Sequence, residues 1–83
     1  MPMPTDATLG RSLSTIAQEI RRTWKRPYFG AVPYLQAMYS LDTVDSMYGA
    51  DDGRSIVLYF LSNAKTWRGP DARRIKAELR GML

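Results

Sequence analysis

The sequence predicts an all-α protein: a compact bundle of four helices plus a short one-turn helix. Three observations predict it. Apolar residues recur at helical spacing near both ends of the chain. Prolines and glycines stand where helices start and stop. The one strand-like run, Ile56 to Leu61, has no second run to pair with, and a lone strand would leave its backbone groups unsatisfied. With 83 residues, 45% of them hydrophobic, the chain suits one domain with a modest core. Residues 1–8, opening Met-Pro-Met-Pro-Thr-Asp, are expected to be a flexible N-terminal tail, and residues 9–83 a single helical domain.

In the first helix, Leu9, Leu13, Ile16, Ile20 and Trp24 form one apolar stripe. Thr5 or Asp6 can cap it. Pro27 should end it near Arg26, because the residue before a proline is pushed out of the α region. Arg11, Glu19, Arg22 and Lys25 fall on its outer face. The segment Pro27 to Pro33 reads as a link, with Pro33 at the first position of a second helix through Tyr34, Leu35, Met38 and Leu41. Asp42 is placed to cap a one-turn helix, Thr43 to Tyr48, stopped by Gly49. Asp51 or Asp52 caps a central helix that includes Ile56 to Leu61, buried on most faces. The last helix follows Gly69, with Pro70 and Asp71 in its first turn and Gly81 just past its end. Its inner stripe is Ala72, Ile75, Leu79 and Met82. Arg73, Arg74, Lys76 and Arg80 lie outside that stripe, and Arg74 can reach Glu78 across one turn.

The expected core comprises Leu13, Ile16, Ile20, Leu35, Ile56, Leu58, Phe60, Leu61, Ile75 and Leu79, with Trp24 packed on the central helix. Of the aromatics, Trp24, Phe29 and Phe60 read as core. Trp67, flanked by Lys65 and Arg68, reads either as a core lid or as an exposed interface anchor.

Composition excludes much chemistry. The chain has no cysteine and no histidine, which removes disulfides, thiolate nucleophiles, the commonest zinc ligand and the commonest general base. Asp42, Asp45, Asp51 and Asp52 do not match a calcium loop, and helix capping accounts for Asp42 and for Asp51 or Asp52. No serine sits in a nucleophile turn, and no glycine cluster forms a phosphate loop. The expectation is a non-enzyme with no catalytic residue, no metal and no cofactor. No apolar run approaches the roughly 20 residues a membrane-spanning helix needs.

Charge is segregated. Residues 1–26 carry five basic and two acidic side chains, residues 27–53 carry four aspartates and no base, and residues 54–83 carry seven basic and two acidic groups. The formal +4 thus hides two basic ends around an acidic middle. The candidate partner-binding residues are Arg21, Arg22, Lys25 and Arg26 at the end of the first helix, Trp67 and Arg68 before the last helix, and Arg73, Arg74, Lys76 and Arg80 on it. A nucleic-acid site requires such a basic face as its first feature.

The stretches Ser14-Thr15-Ile16-Ala17-Gln18-Glu19-Ile20-Arg21-Arg22, Tyr28-Phe29-Gly30-Ala31-Val32-Pro33-Tyr34-Leu35, Tyr48-Gly49-Ala50-Asp51 and Thr66-Trp67-Arg68-Gly69 resemble those of small proteins encoded by bacteriophages and prophages of actinobacteria. The resemblance spans about Leu13 to Leu79. It assigns no catalytic or binding residue. It implies a cytoplasmic accessory protein of an infected or lysogenic bacterial host. The function expected first is a small helical binding protein whose partner is a host or phage protein. The alternative is a nucleic-acid-binding protein using the basic faces of its first and last helices. A weaker alternative is a small self-associating structural component, a homo-oligomer.

Overall fold

A computed structural model describes residues 10–83. The expected tail, the Thr5 or Asp6 cap and Leu9 lie outside the described residues. Within them, helices dominate: α1 (Leu13–Thr23), a 3-10 turn (Phe29–Ala31), α2 (Val32–Met38), α3 (Gly53–Ser62) and α4 (Pro70–Gly81). A small antiparallel pair, β1 (Met47–Tyr48) and β2 (Asp51–Asp52), precedes α3, with Met47 opposite Asp52 and Tyr48 opposite Asp51. The chain is mostly helical as expected, but it is not a regular four-helix bundle. α2 has only seven residues, and a hairpin stands where a fifth helix was expected.

Ser12 caps α1, its hydroxyl accepting the Thr15 N–H at 3.1 Å. The Leu13 and Ser14 N–H groups donate to the carbonyls of Asp42 and Leu41, at 2.9 and 3.0 Å. α1 ends three residues before the position that Pro27 dictates. Trp24 leaves the helix in an extended conformation, and its ring stacks on Trp67, centroids 5.3 Å apart and planes 12° from parallel.

Asp42 does not cap a helix. Its carbonyl serves α1, and residues 43–46 form a turn closed by the Ser46 N–H to the Thr43 carbonyl at 3.1 Å. Gly49 takes a φ of +61° in a two-residue hairpin turn rather than at a helix end, because the chain must reverse there to pair Tyr48 with Asp51. Asp52 caps α3 as expected, its carboxylate accepting the Ser55 N–H at 2.9 Å. That bond holds its carboxyl below the usual range.

The core joins Leu13, Ile16, Ala17 and Ile20 of α1, Leu35 and Met38 of α2, Ile56, Val57 and Phe60 of α3, and Ala72, Ile75 and Leu79 of α4. α1 packs against both α2 and α4, and α3 against α2. Three core expectations need correction. Leu58 is 48% exposed and Leu61 only half-buried. α3 meets the rest of the protein along one stripe, Ile56, Val57 and Phe60, so its opposite side faces out. Phe29 is 79% exposed, since the 3-10 turn buries Ala31 instead. Trp67 is settled as core at 3% exposure, with Phe60 edge-on to both tryptophan rings.

Candidate functional site

α4 carries three stripes, each with its residues at i, i+3 and i+7. Ala72, Ile75 and Leu79 are buried. About 100° round the helix, Asp71, Arg74 and Glu78 belong to an ion-pair seam with α1. Arg74 donates to Glu19 at 2.7 Å and to Asp71 at 3.1 Å, while Arg11 donates to Glu78 at 2.6 and 3.0 Å and to Glu19 at 2.6 Å. Hydrogen bonds from Arg74 and then Arg11 pull the Glu19 carboxyl down to about 2, and Glu78 raises the already high pKa of Arg11. Two expectations change here. Arg74 is ion-paired in the seam while its side chain stays half exposed, and Glu78 pairs with Arg11, not Arg74. Arg11 and Glu19 accordingly line a helix–helix seam instead of an outer face.

The third stripe, Arg73, Lys76 and Arg80, lies on the other side of the buried one. With Lys65 and Arg68 from loop 63–69 it lines an open depression of about 430 Å³ that Trp67, Gly69 and Ala72 complete. No carboxylate lines it. Among the described residues, Lys65, Arg68, Arg73, Lys76 and Arg80 form no ion pair, whereas Arg11, Arg54 and Arg74 all do. Lys76 differs from the other four cations. Its ammonium donates to the Trp67 carbonyl at 2.7 Å and sits 5.9 Å from that ring's centre. Burial, then the nearby charges of Arg80 and Arg68, push its pKa below the usual lysine range. Lys76 therefore fastens the loop to α4 as well as adding charge.

Arg21, Arg22, Lys25 and Arg26 are exposed and lie outside the depression. The two basic clusters approach each other at the tryptophan stack: Lys25 and Arg26 follow Trp24 directly, and Lys65 and Arg68 bracket Trp67. Beyond Arg26 stands an aromatic ledge. Tyr28 and Phe29 are exposed, with ring centroids 4.8 Å apart. A Cβ added to Gly30 would lie 2.5 Å from the Tyr28 ring and 2.9 Å from the Asn63 side-chain oxygen, so the ledge rests against the start of loop 63–69. The same loop reaches the depression at its other end.

Of the residues expected from sequence, the structure gathers Trp67, Arg68, Arg73, Lys76 and Arg80 at the depression, leaves Arg21, Arg22, Lys25 and Arg26 outside it, and pairs Arg74 in the seam. Trp67 joins only as a buried wall, so it cannot be an exposed anchor. Lys65 was missing from the expected set, although its place three residues before Arg68 was the available signal. Phe29 was hidden by its aromatic character, which reads as core without a packing partner in view.

No group of three or more acidic residues suited to a metal occurs among the described residues. Nor is any helix among them long and apolar enough to cross a membrane. Compared with protein-family models, curated proteins and solved structures, the chain matches none. Geometry carries the functional reading by itself.

Proposed function

We propose that this chain is a non-enzymatic binding module that grips nucleic acid by its phosphates through the depression between α4 and loop 63–69. The observation that supports it is the sorting of charge. Every carboxylate on α4 is engaged in the seam with α1 or with Arg74, while five cations stand together without one. Mutual repulsion makes that arrangement unfavourable on its own, and a phosphate chain relieves it while releasing counterions. The resemblance to phage proteins fits an accessory protein working in the cytoplasm of an infected bacterium.

The test is binding of an oligonucleotide across a salt series. Affinity should fall steeply with salt, and the triple variant Lys65→Ala, Arg73→Ala, Arg80→Ala should weaken it at least tenfold and flatten the slope by about one unit per lost phosphate contact. Lys76 is spared because it also holds the loop. Absence of binding at low salt, or an unchanged slope in the variant, overturns the proposal. A protein partner is the second reading, favoured by the exposure of Phe29 and Tyr28, since exposed aromatics are frequent interface anchors.

A further inference from the structure

The depression accounts for phosphates only. Its one aromatic, Trp67, is buried, with Trp24 stacked on its ring and the Lys76 ammonium near it, so no base can stack there. Of the exposed aromatics, Tyr48 and Tyr59 lie on the hairpin and on α3, while Phe29 and Tyr28 form the ledge. Phe29 is the most exposed large apolar residue among those described, and it touches Tyr28 rather than the core. Two connections place this ledge close to the depression. Asn63, against Tyr28 and Gly30, stands two residues before Lys65, at most about 7 Å of chain. On the other side, Lys25 and Arg26 bridge the interval between Trp24, stacked on the depression's wall, and Tyr28. The surface therefore runs from a cationic hollow, past further cations, to bare aromatic rings.

We infer that the nucleic acid is single-stranded, its backbone lying along Arg80, Arg73, Lys65 and Arg68 and an unpaired base stacking on Phe29 beside Tyr28. This rests on the nucleic-acid reading above and adds to it. A duplex keeps its base faces stacked inside, so it can use the cations but not the ledge. A single strand uses both, which is how sequence-tolerant single-strand binders combine a basic track with aromatic platforms.

The experiment compares a labelled oligothymidylate with a duplex of equal length, by fluorescence anisotropy, on the full chain. The single strand should bind at least tenfold tighter. Phe29→Ala should weaken single-strand binding about tenfold, with the salt slope and duplex binding unchanged, because base stacking is not a counterion effect. Phe29→Trp should restore it. Phe29 is exposed, so the substitution leaves folding intact, checked by an unaltered melting temperature. Duplex binding as tight as single-strand binding, or full single-strand affinity in Phe29→Ala, overturns the inference while leaving the nucleic-acid reading standing. Binding to neither oligonucleotide overturns both. Phe29→Ala that keeps oligonucleotide affinity but loses a protein partner overturns the inference in favour of protein docking at the ledge.

Discussion

Phe60 is fully buried, edge-on to the stacked Trp24 and Trp67 rings, while Leu58, two residues earlier on α3, is half exposed. Phe60→Ala should therefore cost about 3–5 kcal/mol, a large share of the stability of so small a domain, whereas Leu58→Ser should stay within about 0.5–1 kcal/mol. Urea denaturation of the two variants checks this, and equal losses would mean that the helix is turned differently. Gly53 makes a sharper case. Alanine is the better helix former by about 1 kcal/mol, yet a Cβ at Gly53 would lie 2.6 Å from the Thr43 carbonyl oxygen and 2.9 Å from the Val44 Cα. Backbone cannot swing aside as a flexible side chain does. Gly53→Ala should lose about 1–3 kcal/mol in the same assay instead of gaining. Single residues also mark where sequence was silent. The sequence puts Phe29 in a link and Phe60 in a helix but does not tell which ring is covered, because burial depends on which elements come to lie over each.

Between elements, the α1–α4 seam depends on pH through Glu19. Arg74 and Arg11 hold its carboxyl at about 2 against an ordinary 4.5, so across that interval the unfolded chain binds the extra proton. The seam's contribution is complete above about pH 4.5 and is lost as pH falls towards 2. Its size is about 1–2 kcal/mol after solvent screening. The urea midpoint should drop through that window, and Glu19→Gln should be weaker at neutral pH and flatter below it. A parent midpoint that stays constant from pH 5 to pH 2.5 would contradict the seam's role. The helices themselves were legible, since α1 and α4 announce their buried stripes by spacing, and Asp52 and Pro70 announce starts. The hairpin was not. Its strands are two residues each, too short for alternation to register, and Asp51 and Asp52 are poor strand formers better read as caps. The site was half legible for a related reason. Spacing groups Arg73, Lys76 and Arg80 on one side of a helix, but only the partner helix reveals that Arg74 is already taken.

For the molecule as a whole, the unpaired cations of the depression oppose folding slightly, because compaction brings like charges together. The triple variant Lys65→Ala, Arg73→Ala, Arg80→Ala should thus melt at the same temperature as the parent or a few degrees higher at low ionic strength, and the gap should close as salt is added. Calorimetry of both proteins at two salt concentrations checks it. A binding surface that costs stability is what a functional origin for the cluster requires; a variant that melts lower would point to a structural one.

Residues 41–46 stand between two helix starts. The carbonyls of Leu41 and Asp42 accept from Ser14 and Leu13, and those of Val44 and Ser46 accept from Arg54 and Gly53, at 2.7–3.0 Å. Helix ends ordinarily fray, and their first amides trade protons with solvent through small local openings. Here those four amides can be released only by lifting one segment off α1 and α3 together, and Leu41 and Val44 within it are buried. Deuterium should therefore enter at Leu13, Ser14, Gly53 and Arg54 at nearly equal rates, governed by one shared opening rather than by two independent helix ends.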